Sequence, residues 1–124
     1  MTKKITEKIL VFLISCSFLL VAGVASAEIK IGMGGIMSGP FAAWGLDGKS
    51  GMEMAIEEIN ANGGIKGEKV VLLARDDQLD TTKAALQAEE LIYKEKVIVY
   101  FASTITGSAK ATVPVAIKAK IPVI

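Results

Sequence analysis

Four short apolar runs, the first three each followed by a helix-patterned segment, constrain this chain more than any other feature. They are Ile29 to Met33, "KVVLLA" (Lys69 to Ala74), "KVIVYF" (Lys96 to Phe101) and "IPVI" (Ile121 to Ile124). Runs that are apolar on both faces, in the order βαβαβαβ, imply a parallel sheet covered by helices on each side. In the first helical segment, "LDGKSGMEMAIEEINANGG", Met52, Ala55, Ile56 and Ile59 recur at helical spacing, and Asn62, Gly63 and Gly64 supply the stop. A second helix follows "RDDQLD", with Asp80 or Thr81 as N-cap and Ala84, Ala88, Leu91 and Ile92 on one face. The third follows "ASTITGSA" and runs to about Ala119; Pro114 inside it predicts a kink. The fold class is α/β, a three-layer parallel sheet with helices on both faces, in strand order 2-1-3-4.

The first residues set the compartment. Lys3, Lys4 and Lys8 form a basic n-region, Ile9 to Ala22 an apolar core, and "ASA" at Ala25 to Ala27 a small-residue cleavage site. Residues 1–27 therefore read as a cleavable secretory signal peptide, whose apolar core falls short of the roughly 20 residues of a membrane span. Cys16 resembles a lipoprotein processing position. Processing there would strand "SFLLVAGVASA" on the mature chain, so Cys16 reads as part of the leader. Removing residues 1–27 from 124 leaves 97, enough for one domain at most. The loss of three lysines and Glu7 takes 14 Lys+Arg and 13 Asp+Glu to 11 and 12, a net charge of −1. No basic surplus points to nucleic acid or anionic lipid. With no Cys and no His in the mature chain, thiolate nucleophiles, imidazole bases, disulfides and His-based metal sites are excluded.

The glycine cluster in "IKIGMGGIMSGPFAAWG" raises the question of a phosphate cradle. Gly32 and Gly34 fit the first two positions of G-x-G-x-x-G, but Met37 stands at the third and the helix is expected about ten residues too late. Gly34 and Gly35 read as a tight turn. In a 2-1-3-4 sheet the crevice opens at the carboxyl ends of strands 1 and 3. The loops there, Gly34 to Gly45 and Ala102 to Gly107, carry the only Trp, Trp44, and with the start of the third helix a cluster of hydroxyls, Ser103, Thr104, Thr106 and Ser108. An apolar wall facing hydroxyls and a helix N-terminus suits a small ligand with a carboxylate at one end and an apolar group at the other. Residue types leave an alternative equally open, in which Trp44 packs under its loop and the hydroxyls cap the helix. Asp76, Asp77 and Asp80 of "RDDQLD" could ligate a metal or act as paired carboxylates, but the strand order places them beyond strand 1, away from the crevice. Capping and turn formation are their expected work. Glu57, Glu58, Glu89 and Glu90 read as solvated helix faces.

"IKIGMGGIMSGPFAAWG", "GMEMAIEEINANGGIKGEKV", "ARDDQLD" and "ATVPVAIKAKIPVI" resemble, in order and spacing, the start of the periplasmic Leu/Ile/Val-binding protein family. These are type I solute-binding proteins of branched-chain amino-acid ABC transporters, in which two α/β lobes joined by a hinge close on the ligand. The resemblance implies that residues 28–124 are a partial N-terminal lobe, and that the function is binding of a branched-chain or similar small amino acid in the periplasm for delivery to a membrane permease. It implies no enzyme activity and no cofactor. Trp44 would contact the ligand side chain, and Thr106 with Thr104 and Ser103 would bind the α-carboxylate. Tyr100 and Ala102 stand where the family favours glycine, which leaves the register of these hydroxyls open by a residue or two. Members are much longer, so the sequence reads as a fragment unable to bind alone, with an unfinished sheet edge that favours aggregation. Other readings are an amide, urea or aromatic-acid binder, a sensor-receptor ectodomain of the same fold, and, remotely, a nucleotide-dependent α/β enzyme.

Overall fold

The computed structural model describes residues 27–124. The expected leader, Cys16 included, lies outside the described residues but for Ala27. The chain folds in the order β1 (Glu28–Gly35), α1 (Ala42–Ala61), β2 (Lys69–Asp76), α2 (Thr81–Glu89), β3 (Val99–Phe101) and α3 (Thr106–Ala119). The three strands are parallel in the order β2-β1-β3, with Gly32 opposite both Leu73 and Tyr100. The last residues lie along β3, where Val123 bridges Tyr100. Tyr100 N–H donates to Pro122 O (3.0 Å), Ala102 N–H to Ile124 O (2.9 Å) and Ile124 N–H to Tyr100 O (3.1 Å). The fourth run thus pairs where the 2-1-3-4 order requires.

Two expectations at the start of the fold are corrected. Gly34 and Gly35 do not form a turn; they complete β1, opposite Arg75 and Asp76. Gly34 is needed for a close approach instead, because a Cβ there would lie 3.2 Å from Tyr100 Cζ and closer still to the hydroxyl. The first helix also starts earlier than its apolar spacing implies. It begins at Ala42, so Trp44 and Gly45 belong to its first turn and not to the preceding loop.

At its far end α1 stops as read, with Gly63 (φ 94°) and Gly64 (φ 75°) in the left-handed region. Asn60 then ties α1 to the sheet: its amide donates to Val70 O and its carbonyl accepts from Val70 N–H, both at 2.8 Å. Met52, Ala55, Ile56 and Ile59 line an open apolar groove with Ile31 and Phe101, so the expected stripe does face the sheet.

On the opposite face Ala88, Leu91, Ile92, Val97, Tyr100 and Ala116 form the main core. α2 passes into a wider π turn, Glu90–Lys94, in which Glu95 N–H reaches back five residues to Glu90 O. Leu91 and Ile92 are both buried there. α3 presents Ser108, Thr112 and Ala116 inward, four residues apart, and these small side chains let it pack closely on α2. Pro114 sits on the exposed side of α3, as does Lys110, whose carbonyl loses its helical partner to the proline.

Candidate functional site

β1 and β3 are neighbours, so the segments leaving their carboxyl ends lie side by side at the carboxyl end of the sheet. The first segment, residues 36–41, turns through Gly39 (φ 75°) into α1. Trp44 stands on the first turn of that helix with 57% of its surface exposed. Phe41, itself exposed, leans against it with ring centroids 5.6 Å apart and planes at 42°. Trp44 therefore does not pack beneath the loop. Two adjoining, solvent-facing aromatic rings form a wall of the kind that accepts an apolar group. Phe41 was missed in the sequence, although its i,i+3 spacing to Trp44 becomes informative once both are placed at a helix start.

The second segment brings Ser103, Thr104 and Thr106 together at the N-terminus of α3. Ser103 is buried, and its Oγ accepts from Ile105 N–H (3.1 Å), while Thr104 and Thr106 are exposed. None of them caps the helix: the N-cap is Ile105, and no side chain bonds the first-turn amides. The hydroxyls therefore do not serve the capping role that was their alternative reading. Uncapped first-turn N–H groups and the positive end of the helix dipole make this a place where an anionic oxygen is favoured. Ser108, the remaining hydroxyl of the cluster, points inward and is wholly buried.

Behind the crevice, Tyr100 is 1% exposed. Burial, reinforced by the nearby Asp77 charge and partly offset by a hydrogen bond with Thr112, raises its phenol pKa above 10.

Two of the three aspartates do the work expected of them and the third does not. Asp80 caps α2, accepting from Thr82 N–H (2.8 Å) and Lys83 N–H (3.0 Å), and Asp77 Oδ1 closes a turn by accepting from Leu79 N–H (3.0 Å). Asp76, however, reaches over to the loop after β1: its Oδ1 accepts from Met37 N–H at 2.9 Å as well as from Gln78 N–H at 3.1 Å. The expectation that this triplet lies away from the crevice fails for Asp76. The sequence order of strands does not reveal it, because β2 is two residues longer than its apolar run and carries Asp76 level with Gly35. Burial would raise the Asp76 pKa, but hydrogen bonds from Ser38, Met37 and Gln78, with Lys83 nearby, outweigh it and hold the carboxyl below its usual 3.8. Among the described residues no group of three or more His, Cys, Asp or Glu side chains is arranged to hold a metal ion. Likewise, no helix among them is long and apolar enough to cross a membrane.

Comparison with known proteins matches residues 28–124 to the family model described as periplasmic binding protein. The chain is 42% identical over 116 residues to the Leu/Ile/Val-binding protein homolog 7 of Brucella melitensis, covering 94% of this chain and 29% of that protein. It resembles the crystal structure of the branched-chain amino acid transporter substrate-binding protein LivJ from Streptococcus pneumoniae in complex with isoleucine. That match has a TM-score of 0.74 and 34% identity, over 78% of this chain and 28% of the other. It also resembles an ABC-transporter solute-binding protein from Rhodopseudomonas palustris in complex with 4-hydroxybenzoate, with a TM-score of 0.70 and 33% identity, over 78% of this chain and 26% of that one. The chain thus spans less than a third of the length of the proteins it matches. From its sequence and its partial α/β lobe, the chain belongs to the periplasmic binding protein family.

Proposed function

We propose that the protein is the substrate-binding component of an ABC importer, which binds a branched-chain or similar small amino acid in the periplasm and hands it to a membrane permease without chemical change. The observation that carries this reading is the pairing, at the carboxyl end of the sheet, of an exposed aromatic wall with an uncapped helix N-terminus. The first suits an aliphatic side chain and the second an α-carboxylate. Trp44 is assigned to the side chain, with Phe41 beside it; Thr106, Thr104 and the Ser103 segment are assigned to the carboxylate. The relatives named for Leu, Ile and Val binding support the ligand class.

An aromatic carboxylic acid is the second reading, favoured by the two-ring wall and by the Rhodopseudomonas neighbour's 4-hydroxybenzoate. Titration calorimetry of the full-length protein with L-leucine, L-isoleucine, L-valine and 4-hydroxybenzoate separates the two. Trp44→Ala and Thr106→Ala are each expected to weaken the preferred ligand by about 1–3 kcal/mol. Unchanged affinity in both variants would remove the site assignment, and no heat with any of the four would remove the ligand class.

A further inference from the structure

We infer that Asp76 is the positioning residue of the ligand wall: by holding the Ile36–Met37 peptide it fixes the first turn of α1 and so the placement of Trp44. The geometry is a grip on one peptide unit from two sides. Its N–H, on Met37, donates to Asp76 Oδ1 at 2.9 Å. Its C=O, on Ile36, lies directly against Gly45, where a Cβ would approach within 2.7 Å of the Ile36 carbonyl carbon and nearer still to the oxygen. Gly45 is buried and adjoins Trp44 in the helix. A displacement of the Ile36–Met37 peptide therefore presses on α1 at the residue next to the tryptophan.

Two further contacts make Asp76 a firm anchor. It ends β2, in register with Gly35, and the following residue secures the same place, Asp77 N–H donating to Gly35 O at 3.0 Å. Its Oδ1 also takes Gln78 N–H, which stiffens the turn into α2. Hydrogen bonds to an ionised carboxylate are about twice as strong as neutral ones, which favours Asp over a neutral acceptor at this position. The carboxylate of Asp80, four residues on, bonds instead within its own helix.

The inference rests on the ligand-binding reading only for its affinity measurement, so the test has two arms in full-length protein. In the first, 5-fluorotryptophan is incorporated and the Trp44 resonance is assigned by its loss in Trp44→Phe. Asp76→Ala is expected to shift and broaden that resonance, Asp76→Asn, which keeps an acceptor, to restore most of it, and Asp80→Ala to leave it unmoved. In the second, L-leucine is titrated into each folded variant. Asp76→Ala is expected to raise Kd about tenfold, the loss of one hydrogen bond's worth of placement, and Asp76→Asn less than that. Asp80→Ala, which costs α2 its cap, is expected to keep the parent Kd. A Trp44 resonance unchanged in folded Asp76→Ala overturns the inference, as does one altered equally by Asp80→Ala. If Asp76→Ala does not fold, Asp76→Asn decides by the same resonance: a small, distinct shift supports the positioning role and an unchanged spectrum overturns it. If the parent protein does not bind L-leucine, the ligand reading fails while the fluorine spectra still decide the role of Asp76.

Discussion

Replacing Gly45 with alanine tests whether the first turn of α1 is seated on the loop before it. Alanine is favoured over glycine inside a helix by about 1 kcal/mol. Gly51, in the same helix, has open space where its Cβ would go, so Gly51→Ala is expected to raise stability by about that amount. At Gly45 the added carbon would sit 2.7 Å from the Ile36 carbonyl carbon. Non-bonded carbons rest at about 3.5–4.0 Å, so the helix start must lift by roughly 1 Å. The obstacle is backbone, held from behind by the Met37–Asp76 hydrogen bond, and it has no rotamer by which to escape. Overpacking of this kind costs about 1–3 kcal/mol, and a backbone-on-backbone clash falls at the upper end, leaving a net loss of about 2 kcal/mol after the helix preference is credited. Urea unfolding of the full-length protein, followed by far-ultraviolet circular dichroism, would then separate the two alanine variants by about 3 kcal/mol in opposite directions from the parent. A Gly45→Ala protein as stable as Gly51→Ala would refute the reasoning, since the loop would then yield without cost.

Three further outcomes follow from backbone and charge. Lys120 ends α3 in the left-handed region (φ 58°), where a side chain costs about 1 kcal/mol that glycine does not. Lys120→Gly is therefore expected to raise the urea midpoint modestly, and a drop would mean that the lysine side chain makes up the difference. For pH, the lowered Asp76 pKa means that its contribution to stability is present above the unfolded value near 4 and is lost as pH falls through the folded value. Asp76→Asn should flatten the stability profile below about pH 4 relative to the parent. Tyr100 acts at the other end: its raised pKa gives a contribution present below about pH 10 and lost as pH climbs beyond it. Urea midpoints from pH 2.5 to 11 check both, and an acid limb identical in Asp76→Asn and parent would contradict the first.

The sequence by itself determined the order of elements and the layer architecture. Four apolar runs with helical segments between them admit few arrangements, because buried strands need helices on both faces and the crossovers fix their sides. It also determined the stop of α1 at Gly63 and Gly64, the Asp80 cap and the buried stripe of α2, all of which are local: each depends on residues within a few positions of one another. The strip of chain that would meet a ligand was legible only as residue types at the ends of strands 1 and 3. The tertiary structure alone decided what those residues do. Gly34 reads locally as a turn, yet it is a strand residue paired with Arg75, and it must be glycine because the Tyr100 ring, 66 positions away, occupies the space above it. Trp44 reads as loop because the apolar helical spacing begins only at Met52, yet it stands in the first turn of α1, where Gly45 packs closely against the Ile36 backbone. Asp76 reads as part of a remote turn, yet parallel pairing in register brings it level with Gly35 and within 2.9 Å of Met37. In each case the deciding contact joins residues on separate segments of the fold, and periodicity reports which way a side chain faces but not what it meets there.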